Sequence, residues 1–178
     1  MGGTLVVGRP GPDEYAPFYA EYIGRVAGDD PRTAVLSQSG ELRAFLGKLS
    51  AGVGAERYAP GKWSVREVVG HLADAERVFA YRALRISRGD ATPLAGFEEN
   101  DYVAAAGYDR LPLGDVVAEL VAVREATVAL FRNLDAAAWA RRGTANAVAV
   151  TVRALGYVIL GHADHHLEVL RTRYRLGT

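Results

Sequence analysis

Three of the chain's four histidines, His162, His165 and His166, fall within five residues near the C-terminal end, and the fourth, His71, stands about ninety residues upstream. Imidazole is the commonest metal-binding side chain. The run Gly161-His162-Ala163-Asp164-His165-His166-Leu167 sets His162 and His166 four apart. On a helix, residues four apart stand one turn above each other on a single face, so both rings offer nitrogens to a common point. An HxxxH pair is a standard way to present two ligands to one divalent cation. Two ligands do not make a site, and His71 is the available third. His165 lies about 60° around the helix from His162. It either replaces His166 as a ligand or, the reading we favour, sits at the edge of the site against a ligating ring or the substrate.

The competing explanation is a cluster of core histidines with no metal. Neutral imidazoles packed side by side leave polar nitrogens that each need a partner, and one cation satisfies them together. Three imidazoles also leave a fourth position for water or substrate, the mark of a catalytic rather than a closed zinc site. A cation held this way lowers the pKa of a water or a thiol presented to it. The chain contains no cysteine, which excludes disulfides, thiolate ligands and a protein thiol as nucleophile. Thiol chemistry would need a low-molecular-weight thiol as co-substrate. The rival from another class is a non-catalytic metal-binding bundle of the stress-response kind, and an open coordination position beside a pocket separates the two.

The elements that must position these residues read as helices. Residues 151–175 carry Leu155, Val158, Ile159, Val169 and Leu170 at helical spacing, with His162 and His166 on the same stripe. His71 falls in a second segment, about 64–88, opened by the capping box Ser64-Val65-Arg66-Glu67 and lined by Val65, Val69, Leu72, Phe79, Ala83 and Ile86. Asp74 and Glu76 follow His71. Either could orient an imidazole, or both could be solvated. Arg82, farther along, offers a cation to an anionic substrate or, more simply, to a surface ion pair.

Two further helices are expected at about 32–50 and 113–134, the latter capped by Asp115, and a short one at 135–142 anchored by Trp139. Residues 89–112, rich in Gly, Pro and Asp, form a long crossover with a helical turn near 98–105, where Tyr102 and Tyr108 pack over the bundle's end or line a pocket. Residues 143–150 read as a loop, and residues 1–12, rich in Gly and Pro, as extended or partly disordered. Four long helices and no convincing strand give an all-α four-helix bundle over 32–178, with residues 1–31 as an extension packing on it.

At 178 residues, 49% apolar and 24% charged, the chain is one globular domain able to bury a core. Lys+Arg 21 against Asp+Glu 21 leaves no net charge, so nothing marks a nucleic-acid-binding surface. No apolar run is long enough to span a bilayer, and the N-terminus lacks the basic and apolar regions of a signal peptide. A soluble cytoplasmic protein with no membrane partner is expected, with a homodimer through exposed apolar helix faces as a further expectation.

The run Lys62-Trp63-Ser64-Val65-Arg66-Glu67-Val68-Val69-Gly70-His71-Leu72-Ala73-Asp74, the segment Arg88-Gly89-Asp90-Ala91-Thr92-Pro93, and Gly161-His162-Ala163-Asp164-His165-His166 together resemble the DinB-like superfamily. They are most similar to its branch of metal-dependent hydrolases and bacillithiol transferases. The resemblance covers about residues 33–175. It implies a four-helix bundle of up-down-down-up connectivity holding zinc or nickel. One ligand comes from the second helix, His71, and two from the fourth, His162 and His166, with His165 not a ligand. It further implies a small-molecule substrate, in some members joined by a thiol such as mycothiol or bacillithiol. Under that reading the metal activates the thiol while His165 or Asp74 assists proton transfer.

Overall fold

The computed structural model describes residues 7–177; residues 1–6, the first half of the expected extended stretch, lie outside the described residues, and 7–11 carry neither helix nor strand. Four long helices dominate: α2 (Pro31–Leu46), α3 (Val65–Ser87), α5 (Leu113–Arg132) and α7 (Val152–Thr172). Shorter helices are α1 (Ala20–Arg25), α4 (Glu99–Ala106) in the crossover, and α6 (Ala136–Ala140).

The helix starts follow from local chemistry. At α3 the Ser64 hydroxyl accepts from the Glu67 amide at 3.2 Å while the Glu67 carboxylate accepts from the Ser64 amide at 2.7 Å, a cap of about 1 kcal/mol. Thr151 caps α7 by accepting from the Ala154 amide at 3.2 Å. Asp30 caps α2, with Pro31 in its first turn. That helix stops at Leu46 rather than near 50, because Gly47 closes it and a short 3-10 turn, Ala51–Ala55, follows. Asp115 is not the cap of α5. Pro112 occupies that position without a side-chain acceptor, and Asp115 stands in the first turn, where its charge meets the helix's positive end.

The expected loop 143–150 is instead a hairpin, β1 (Arg142–Ala145) and β2 (Val148–Thr151), paired antiparallel from Arg142↔Thr151 to Ala145↔Val148. Asn146 and Ala147 turn it at φ 52° and 61°, the left-handed pair that a two-residue hairpin turn requires. Leu94 of the crossover joins its edge: the Leu94 amide donates to the Thr144 carbonyl and the Asn146 amide to the Leu94 carbonyl, both at 2.9 Å.

α3 packs against α5 and α7, and α2 packs against the same two helices. The order around the bundle is therefore α2, α5, α3, α7, so the consecutive helices α2 and α3 stand across a diagonal while the two histidine-bearing helices are neighbours. α7 is buried on nearly every side from Val152 to Ala163, because α1 lies on it as well. There the Tyr22 carbonyl occupies the space a Cβ at Gly161 would take. Among the described residues no helix is long and apolar enough to cross a membrane.

The core divides into two apolar clusters along the bundle axis, one holding Ala75, Phe79, Ile159 and Leu160, the other Val68, Leu72, Ala163 and Leu167. Between them lies a polar layer with one residue from each long helix. Arg124 of α5 donates to both carboxylate oxygens of Glu76 on α3, at 2.7–3.0 Å, and to Gln38 Oε1 on α2 at 2.5 Å. Gln38 Nε2 donates to Asp164 and to the Leu160 carbonyl of α7, at 2.7 and 2.8 Å. The side chains of Arg124 and Glu76 are 1% and 5% exposed, so removing one partner strands the other charge away from water. Glu76→Leu is expected to destabilise the fold by about 3–5 kcal/mol in urea unfolding, and Glu76→Leu with Arg124→Leu to recover most of that loss.

Candidate metal centre

His71, His162 and His166 meet at the level of this polar layer. One ring nitrogen from each lies within 4.8 Å of the other two, and the Nε2 atoms of His71 and His162 are 3.0 Å apart. A tetrahedral zinc site with ordinary Zn–N lengths asks for nitrogens about 3.3 Å apart, so the donor set fits a divalent cation after small side-chain shifts. Capping and packing produce this convergence. The Ser64 box fixes where α3 begins, so His71 faces α7, and Gly161 lets α1 approach closely enough for Tyr22 to stack edge-on against His162 at 5.4 Å.

The surroundings are aromatic. Trp63 lies 4.8 Å from the His71 ring and Phe79 5.8 Å from His162. Burial among them, with a smaller contribution from His165, pushes His71 down to about 4. Burial also holds His162 and His166 well below the usual imidazole range, and the neighbouring histidines add to it. All three are therefore neutral at neutral pH, the state in which imidazole ligates.

His165 stands outside this group. It is half-buried, edge-on to Tyr22 at 5.8 Å and to His166 at 5.0 Å, and desolvation and then the charge of Arg25 lower its pKa. Asp74 is turned elsewhere: Tyr108 donates to its Oδ2 at 2.7 Å, and Arg77 approaches its Oδ1 at 3.7 Å. Glu76, the other carboxylate next to His71 in sequence, is committed to Arg124.

Two cavities flank the histidines. One, of about 250 Å3, is walled by His71, His162, Phe79, Phe97, Arg82 and Glu99. The other, of about 270 Å3, is bounded by His165, His166, Lys62, Trp63, Asn100 and Tyr174. The start of α4 divides them, with Glu99 facing one and Asn100 the other. Glu99 was not singled out in the sequence. Its Oε2 lies 3.8 Å from His71 Nε2, and burial, then the charge of Glu98, raises its pKa. Its position in a polar crossover gave no periodic signal; the Glu98-Glu99 pair at the start of a helical turn was the available hint. Asn146, also in the first cavity's wall, fits there because Gly96 has no Cβ to collide with its side chain.

The profile of the DinB superfamily matches residues 37–170. The chain belongs to this superfamily. Among solved structures it is similar to YfiT from Bacillus subtilis, described as a probable metal-dependent hydrolase with an unusual four-helix bundle topology. The two share 18% identity and a TM-score of 0.72, over 92% of this chain and 95% of that one. It is also similar to the mycothiol-dependent maleylpyruvate isomerase, at 15% identity and a TM-score of 0.63. That match covers 77% of this chain and 58% of the isomerase, so the chain spans little more than half of that enzyme's length. No curated protein matches the chain. At these identities the structural likeness shows the DinB fold, with its diagonal first connection and crossover helix, and not a shared reaction.

Because the clustered histidines are neutral well below pH 7, protons should compete weakly for the site. Zinc affinity measured with a competing chelator is expected to fall less than about tenfold between pH 7.5 and 5.5, whereas three ordinary imidazoles would lose about a thousandfold.

Proposed function

We propose that this DinB-superfamily protein is a divalent-metal-dependent enzyme that transfers a small electrophile to the sulfur of a low-molecular-weight thiol, of the bacillithiol or mycothiol type. The observation that carries the reading is the placement of His71, His162 and His166 between two separate cavities. A hydrolase needs one substrate cavity, since water reaches any open site. A transferase between two small molecules needs two cavities meeting at the reactive centre. The thiol-dependent isomerase of like fold supports the thiol, and the absence of cysteine from the chain requires that it come from outside.

In this reading His71, His162 and His166 are the ligands, and zinc or nickel is the cofactor. The bound cation supplies Lewis acidity that favours thiolate over thiol at neutral pH. The remaining work falls to the chain. Glu99, at the dividing wall, accepts the thiol proton, and its raised pKa matches a base that must hold and then release that proton. Sulfur then bonds to the electrophilic carbon, and the proton passes from Glu99 to the leaving group or the adjacent carbon. His165 and Lys62 line the second cavity and orient the thiol's hydrophilic body. Asp74 acts indirectly, holding Tyr108 against the bundle. The aromatic walls exclude water, which limits hydrolysis of the electrophile.

The test is a screen of thiol-and-electrophile mixtures with protein purified without a histidine tag and loaded with zinc or nickel. Thiol-dependent product formation is expected. His162→Ala should lose both stoichiometric metal and turnover. Glu99→Gln should keep its metal and lose about a hundredfold in kcat/KM. Turnover independent of any thiol would instead make the enzyme a hydrolase, and stoichiometric metal with no turnover would leave a metal-binding bundle.

A further inference from the structure

Arg82 is not in a surface ion pair. The residue is 2% exposed, and its guanidinium stands over the rings of Phe79 and Phe97 at 5.7 and 5.9 Å. It donates from Nη2 to the Ala95 carbonyl at 2.7 Å and lies beside the Tyr19 hydroxyl. The other deeply buried arginine, Arg124, is matched by Glu76. Arg82 has no such match: among the described residues no carboxylate comes within the 4.0 Å of an ion pair with it. A buried, unpaired guanidinium is costly unless an anion joins it, and it carries five N–H donors in a fork suited to a carboxylate.

Its surroundings say where that anion goes. His71, Ala75, Phe79 and Arg82 follow one another along a single face of α3 and all line the first cavity. Eleven positions of helix separate His71 from Arg82, about 16 Å of rise, shortened because the arginine side chain leans back toward the helix N-terminus. The cavity thus has a cation at one end, aromatic walls, and the histidines with Glu99 at the other. Glu98 borders the same space, but its carboxylate is engaged in capping α4, accepting from the Asn100 amide at 3.3 Å and its Nδ2 at 3.1 Å. A ligand carboxylate is attracted to the Arg82 end and repelled from the Glu99 end, which fixes its direction.

We propose that Arg82 anchors a carboxylate, and that the electrophilic substrate is an apolar, planar molecule carrying that carboxylate at the end remote from its reacting carbon. The substrate class rests on the transferase reading above, but the anion site does not require the metal or the thiol. Two other parts of the fold keep Arg82 in place. Ala95, which takes its hydrogen bond, follows Leu94, and Leu94 is fixed to the β1–β2 hairpin.

The decisive measurement is binding of benzoate and of its neutral isostere benzamide to the metal-free full chain, by titration calorimetry or ligand-observed NMR. Benzoate is expected to bind at least about tenfold more tightly than benzamide. Arg82→Met should abolish that preference and Arg82→Lys should retain part of it. Equal binding of the two probes, no benzoate binding by the wild-type chain, or a preference that survives Arg82→Met would each overturn the proposal. Should Arg82→Met fail to fold, the wild-type ratio and Arg82→Lys still decide. A benzoate preference without metal-dependent turnover would sink the transferase reading and leave the anion site standing.

Discussion

The bundle is organised around a buried ion pair. Arg124 and Glu76 lie between two apolar clusters, and their unused hydrogen-bonding capacity extends through Gln38 to Asp164 and the backbone of α7. Such a layer is weak as a source of stability, since desolvating two charges offsets most of what their attraction returns. Its geometric consequence is larger. Sliding any one long helix by a turn would leave a charge or an amide unsatisfied, so the four helices have one axial register in which the layer closes. His71 lies five residues before Glu76, and His162 two before Asp164. The register that satisfies the ion pair is therefore also the register that brings the imidazoles together.

The electrostatics of the site follow from the same placement. Polar groups next to the histidines are consumed by the layer or, like Asp74, by Tyr108. What remains around the rings is Trp63, Phe79 and Tyr22. An environment of aromatic faces penalises imidazolium and leaves neutral nitrogens aimed at one another. The chain thus prepares donors rather than charges, and its carboxylate nearest the cluster, Glu99, arrives from the crossover rather than from the bundle.

Much of this was legible in the sequence. His162 and His166 declared themselves by spacing, and the four long helices by periodicity. The Ser64 and Thr151 caps followed from side chains that can accept from a backbone amide. The parts that were not legible share a cause. Apart from Arg142 the strands of the hairpin β1–β2 are built from Gly, Ala and Thr with only Val148 and Val150 alternating, too short and too small a pattern to separate from a loop. Its turn depends on Asn146 and Ala147 both taking left-handed backbone, which alanine does not advertise. Arg82 looks like any helix-surface arginine until Phe97 and Ala95 of the crossover fold over it, and Glu99 has no meaning until α4 docks beside His71. Each depends on where the crossover lies, and the hairpin that fixes the crossover was itself the missed element. Asp115 was misplaced as a cap for a simpler reason: the helix begins at Leu113, directly after Pro112, which puts Asp115 inside its first turn.

The diagonal arrangement of α2 and α3 bears on how the molecule comes into being. A bundle whose successive helices were neighbours could grow by adding hairpins as the chain emerges. Here α3 finds its partners in α5 and α7, and the first contact between the two halves of the histidine cluster spans 91 residues. Such long-range closure delays folding: during synthesis α3 can meet α5, but its face toward α7 stays unpaired until the last helix has been made. The histidine cluster is accordingly among the last parts of the fold to assemble, and a chain truncated before His166 would lack one of its three rings.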